Sequence, residues 1–267
     1  MRSSRGLVIG QHFPLDSFVH NLDPRTKIIA ILIYMVALFW ANDLAAYLLL
    51  SLFSLTAIWL SRLPLHLLYR GLKPSLWLIV FTLSVQLFFT PHGTIVFSYH
   101  FISITYEGLF QGLMLSYRLL MMVLTTSLLT LTTSPIRLTD GLESCFAVFK
   151  PLGFPAHELA LMISIALRFV PTLLEEADKI RRAQTARGAD FESGNLWQRM
   201  QSLLPLLVPL FVNAFRRADE LAIAMEARCY SSVVPRGKLH VLVYHKSDYL
   251  VLIFSILLFF MVGILTK

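Results

Sequence analysis

Two arginines are placed where this sequence could do chemistry. Ala183-Gln184-Thr185-Ala186-Arg187-Gly188 and Ala224-Met225-Glu226-Ala227-Arg228-Cys229 both read A-x-x-A-R followed by a small residue. Each stands where a helical pattern stops. Gly188 suits a helix C-terminus because glycine takes positive φ at little cost, and an arginine in the last turn complements the helix dipole. Two roles are open to such an arginine. It can cap the carbonyls of its own helix and do nothing more. Alternatively, it can project from the tip and fork its guanidinium onto a carboxylate in a partner's groove. Two copies in one charged segment favour the second role and point to a protein partner. Cys229 is the odd residue: if that position needs positive φ, Cys costs about 1 kcal/mol relative to Gly. The expectation is therefore that the second helix ends without a left-handed cap.

Other chemistry finds little support. His157-Glu158 has no second histidine at i+4, so it is no zinc motif, and the remaining histidines are scattered. No G-x-x-x-x-G-K-(S/T) loop is present to cradle ATP phosphates, so energy must come from a partner. A membrane-embedded hydrolase would need paired carboxylates, a Ser/His set or a metal motif, and none is visible. The two cysteines, Cys145 and Cys229, form neither a ligand pattern nor a disulfide framework, as suits a reducing compartment.

The elements that must position the two arginines follow from composition. The 267 residues are 56% hydrophobic and 15% charged, with a net charge of +7, and the mean hydropathy is +0.67. Soluble domains carry about a quarter charged residues, so the deficit points to lipid. The basic excess would suggest nucleic acid in a soluble protein, but here its placement argues against that. Residues 1–27 are mixed polar, and no cleavable signal is expected from them.

Five apolar stretches read as spans: Ile28–Ala41, Leu44–Ser61, Pro74 to about Thr90, about Gly108–Ser134, and Tyr249–Thr266. The third ends at the breaker cluster Thr90-Pro91-His92-Gly93. A span needs about 20 apolar residues and must satisfy its backbone internally, so these are expected to be helices. Arg2, Arg5, Arg25 and Lys27 precede the first. Arg62, Arg70 and Lys73 lie between the second and third. The other two connections carry no Lys or Arg. By the positive-inside rule the N-terminus lies in the cytoplasm and the C-terminus outside.

Residues 135–246 carry 14 basic and 11 acidic residues and cannot cross as a whole. Leu159–Leu174 contains Arg168 and Pro171, and Leu203–Phe215 contains Pro205 and Pro209, so both read as faces of amphipathic helices. Leu203, Leu207, Leu210, Ala214, Ala218, Leu221 and Met225 keep 3/4 spacing, with Arg216, Arg217, Asp219, Glu220 and Glu226 opposite. The spacing predicts helices over about 155–187, 195–203 and 205–228. The organisation expected is a membrane domain over 1–134, a cytosolic helical domain over 135–246, and a last span in 247–267.

Lesser features each have a plain alternative. Asp23-Pro24 fits an N-cap followed by proline at the first helical position. Arg118 interrupts the fourth span. An intramembrane charge can contact another membrane subunit or pair within the bundle, and one near the interface can snorkel. Arg168 and Pro171 sit mid-helix, as an elbow between domains or a packing kink.

Several segments, taken in order, resemble the transmembrane T component of energy-coupling factor transporters, the EcfT/CbiQ family. They are His20-Asn21-Leu22-Asp23-Pro24-Arg25-Thr26-Lys27, Leu131-Thr132-Thr133-Ser134-Pro135, Ala166-Leu167-Arg168-Phe169-Val170-Pro171-Thr172-Leu173, the two arginine patterns, and Arg217-Ala218-Asp219-Glu220-Leu221. The resemblance implies an all-α membrane protein with two long coupling helices and no catalytic, cofactor or metal site of its own. It implies two cytosolic ABC ATPases that use ATP and Mg, and a substrate-binding S component in the membrane, for uptake of vitamins or other micronutrients. It implies that Arg187 and Arg228, flanked by Ala186, Gly188, Ala227 and Cys229, dock the ATPases, and the family's second motif usually ends in Gly. The competing reading is an ordinary ABC-importer permease with its own pathway. Glu175-Glu176-Ala177 followed by Gly188 and Leu204-Pro205 faintly resembles the docking loop of that class.

Overall fold

A computed structural model of the chain describes residues 15–89, 95–99, 102–191, 195–230 and 242–266. Arg2, Arg5, the Thr90–Gly93 cluster and Lys267 lie outside those residues. Nine α-helices are described: α1 Phe18–Asn21, α2 Pro24–Trp40, α3 Leu44–Ser61, α4 Leu65–Phe89, α5 Tyr106–Thr132, α6 Pro135–Phe146, α7 Ala156–Ala186, α8 Leu196–Ala227 and α9 Lys246–Leu265. A 3-10 turn, Ala147–Leu152, precedes α7. The connection into α5 departs from the all-helical expectation. Ile95–Tyr99 (β1) and Ile102–Thr105 (β2) pair antiparallel, joining Tyr99 to Ile102. Alternating β-branched and aromatic residues favour such a ladder.

Asp23 starts α2 as expected: its carboxylate accepts from the Arg25 amide, with Pro24 at the first helical position. Two other boundaries are corrected. The third apolar stretch begins at Leu65, not Pro74, and the helix runs through Arg70, Lys73 and Pro74. Residues 195–203 and 205–228 are not two helices but one, α8, with Pro205 and Pro209 inside it. Each proline removes one backbone donor. They stand one turn apart, so the lost bonds fall on one face and the other rows of the ladder carry the helix on.

Among the described residues, five helices are long and apolar enough to cross a membrane: α3, α4, α5, α7 and α9. These are not the five expected. α2 has 17 residues, about 26 Å at the usual rise, at the short end of the range that spans a bilayer. α7 qualifies through its apolar first half despite Arg168 and Pro171.

The chain divides into two compact units, Met1–Cys145 with Leu242–Lys267, and Phe146–Val241. Pro135–Cys145, grouped by sequence with the charged segment, thus falls in the first unit. Gly141 shows why: a Cβ there would meet Pro24 Cβ at 3.0 Å and Ile28 Cδ1 at 3.1 Å, so α6 lies hard against the start of α2.

The first unit mixes small, polar and large apolar residues in its interior and exposes many large apolar residues on its outside. Ala37, Ala41, Ala46, Leu50 and Val262 are fully buried, whereas Trp59, Leu65, Trp77 and Ile264 are exposed. Small residues permit the close helix approach that membrane packing depends on. Arg118 belongs to this packing. Its Nη2 donates to the Ala41 carbonyl and to Tyr47 Oη, both at 2.8 Å, and its Nε donates to Tyr47 Oη at 3.2 Å. It therefore pairs within the bundle, closing the end of α2 against α3 and α5.

At the opposite end of these helices lies a buried polar knot. Asp248 of α9 is fully buried. Its Oδ1 accepts from the Asp23 amide at 2.9 Å and its Oδ2 from the His245 amide at 2.8 Å. Lys27 Nζ donates to the His20 and Thr132 carbonyls and to Thr133 Oγ1 at 3.1–3.3 Å. Two segments far apart in sequence, 20–27 and 131–135, thereby meet.

Candidate functional site

The second unit carries the two arginine patterns, and its helix ends are built alike. α7 stops at Ala186. The Gly188 amide then donates to the Thr185 carbonyl and the Ala189 amide to the Gln184 carbonyl, both at 3.0 Å. Gly188 has φ +88°. This is the Schellman arrangement, in which two backward bonds satisfy carbonyls that the helix itself leaves free. At the end of α8 the Cys229 amide donates to the Glu226 carbonyl at 2.8 Å and the Tyr230 amide to the Met225 carbonyl at 2.9 Å. Cys229 has φ +55°. The expectation that the second helix lacks a left-handed cap is thus overturned. Two backbone bonds at the cap offset the steric cost of a side chain in that conformation, which is about 1–2 kcal/mol.

The match is residue for residue. Arg187 and Arg228 each follow the last helical residue, and Ala186, Arg187, Gly188, Ala227, Arg228 and Cys229 are all exposed. Neither guanidinium makes an ion pair among the described residues. Both guanidiniums belong to exposed residues and keep their hydrogen-bonding capacity among the described residues. Cys229→Gly should stabilise the end of α8 by about 0.5–1 kcal/mol. Slower amide exchange at Tyr230 is the readout, and no change would mean the cap carries no strain.

What holds the two helices together is a clamp absent from the sequence reading. Glu176 of α7 accepts from Asn213 Nδ2 at 2.6 Å through Oε1 and pairs with Arg217 Nη2 at 3.1 Å through Oε2. Asn213 and Arg217 stand one turn apart on α8, so a single carboxylate grips two successive turns. Arg217, assigned by spacing to the charged side, turns inward because it flanks Ala214, Ala218 and Leu221. These line a groove of about 240 Å³ with Ile165, Phe169, Leu173 and Met225. The stripe read from spacing is therefore the α7-facing side from Ala214 onward, whereas Leu203 and Leu207 stay largely exposed. Glu176→Ala should destabilise this pair by about 1–3 kcal/mol and loosen the crossing; unchanged thermal unfolding would count against the clamp.

The contacts also fix direction. Ile165, Phe169 and Leu173 share the groove with Leu221 and Met225, while Glu176 meets Asn213 and Arg217. Numbers rise along α7 as they fall along α8, so the helices run antiparallel. Arg187 and Arg228 then lie at opposite ends of the pair, up to roughly 35 Å apart at 1.5 Å per residue.

Arg168 and Pro171 lie within the unbroken length of α7 with exposed side chains. The division between units falls at Cys145 and Phe146 instead.

Residues 16–241 match the family model described as CbiQ, cobalt transport protein. Among curated proteins, the chain is 49% identical over 259 residues to the "Energy-coupling factor transporter transmembrane protein EcfT" of Acidaminococcus fermentans, covering 97% of this chain and 96% of that one. The protein of that name from Heliobacterium modesticaldum is 54% identical over 92% of both chains. The one from Bacillus subtilis is 47% identical over 94% of this chain and 95% of its own.

Proposed function

The chain belongs to the CbiQ family and is a multi-pass transmembrane component of the energy-coupling factor type, and from that premise we propose that it couples two cytosolic ABC ATPases to a substrate-binding S component. One observation carries the reading: two identically capped, exposed arginines at opposite ends of one clamped antiparallel helix pair. A single binding patch would need only one such tip. Two tips, held apart, suit two separate partners, each receiving a guanidinium in an acidic groove.

In this reading Arg187 and Arg228 are the docking residues. Ala186, Gly188, Ala227 and Cys229 keep the approach narrow, so that a groove can close around each helix end. ATP and Mg belong to the ATPases, and this chain binds no cofactor. ATP-driven movement of the ATPase pair moves α7 and α8, and the first unit passes that movement to the S component. The Lys and Arg placement supports a cytoplasmic N-terminus and α7–α8 unit and an outside C-terminus, with α2 as the first span and α7, despite its apolar first half, not crossing. Vitamins or other micronutrients are the substrate class, recognised by the S component.

Purification of the complex in mild detergent tests the arrangement. One copy of this chain should emerge with two ATPase subunits and an S component. Two copies over an ATPase pair, with no further membrane subunit, would instead make the chain a permease with its own pathway.

A further inference from the structure

Between α2, α3, α5 and α9 lies a half-open cavity of about 460 Å³, a size at which ligand pockets are common. Its walls are largely hydrocarbon, including Ile31, Ala57, Leu128 and Phe254. Its polar lining residues are already engaged within the chain. Lys27 donates to three oxygens. Ser54 donates to Tyr34 Oη at 2.7 Å, and Thr56, Thr125 and Thr132 each donate to a carbonyl of their own helix. An occupant would meet few unsatisfied donors or acceptors there, so a hydrocarbon chain fits best.

One end of the cavity is basic. Lys246, Leu250 and Phe254 form one stripe of α9 at i, i+4 and i+8, so Lys246 sits one turn beyond the cavity wall. Arg62 follows the wall residue Leu60 at the end of α3. Phe53 stacks on Phe254 at 5.8 Å, and Leu50 shares a core cluster with Leu258 and Val262. α3 and α9 are thus antiparallel neighbours, with Arg62 and Lys246 at one level. Both side chains are exposed and make no ion pair among the described residues.

We propose that this cavity holds an acyl chain of an anionic bilayer phospholipid, whose phosphate sits between Arg62 and Lys246. Exposed cations at a membrane surface attract anionic headgroups, and the cavity supplies a dry slot for the tail. The proposal rests on the membrane assignment of the first unit and not on the docking role of Arg187 and Arg228.

Native mass spectrometry of the full chain and of the assembled transporter tests it, after delipidation and incubation with vesicles of phosphatidylglycerol or phosphatidylcholine. The expected result is one retained phosphatidylglycerol per chain, favoured about tenfold over phosphatidylcholine. Arg62→Gln with Lys246→Gln should bring the two lipids level, and Ala57→Phe should lower retention of both. Equal retention of the two lipids by the native protein overturns the proposal, as does an unchanged preference in the double variant. Undiminished retention in Ala57→Phe, or no retained lipid, does the same. Lipid lost on assembly would give the cavity to a partner's apolar segment and likewise overturn it.

Discussion

Replacing both Arg187 and Arg228 by alanine should abolish transport and strip the ATPase subunits from the complex, while the chain still inserts in the membrane. The two side chains are exposed and make no ion pair among the described residues, so their removal costs the fold almost nothing. In a partner's acidic groove each would form charge-assisted hydrogen bonds worth about 1.5–3 kcal/mol. Losing both weakens assembly by about 3–6 kcal/mol, on the order of a hundredfold to ten-thousandfold. Either single change should hurt less, since the other tip still holds one ATPase. Uptake assays and co-purification decide: full uptake with the ATPases still attached in the double variant removes the docking role.

Asp248→Ala should be the most damaging single change to the fold. The carboxylate is fully buried and holds the amides of Asp23 and His245. Alanine leaves the buried Asp23 amide without an acceptor, at about 1–3 kcal/mol, and removes the capping contact to the His245 amide at the start of α9, at about 0.5–2 kcal/mol. A loss of about 2–5 kcal/mol follows, read as a lower unfolding temperature in detergent. Asp248→Asn keeps one acceptor oxygen and should fall between. If the alanine variant melts like the parent, Asp248 does not tie α2 to α9.

Much of the architecture is legible in the sequence because the relevant signals are local. Apolar runs mark the helices α3, α5 and α9, with Arg118 the one charge inside the run of α5, and A-x-x-A-R marks both tips. The Asp23-Pro24 pair marked the start of α2. What escaped was decided by groups remote in the chain. Spacing put Arg217 on the charged side, but Glu176, 41 positions earlier, draws it inward. Nothing near Asp248 signals that its partner is Asp23. Lys27 reads as a flanking positive charge, yet it joins the 20–27 segment to Thr132 and Thr133. Pro205 looked like a break, and only the length of α8 on both sides of it shows otherwise. Cys229 looked unfit for a left-handed cap, and the cap's hydrogen bonds override its preference.

The antiparallel crossing of α7 and α8 has a mechanical consequence. Loads applied at the ends of parallel rods would add to a push along their common axis. Here Arg187 and Arg228 lie on opposite sides of the Glu176 contact, so opposed forces applied at the two tips would form a couple. Under the proposed docking the pair would turn about that contact, like scissor blades, with a lever arm of about a dozen residues of helix on each side. A shorter arm would yield less torque from the same stroke. Deleting one full turn between Glu176 and Arg187 would therefore gear the device down while leaving its grip chemistry in place.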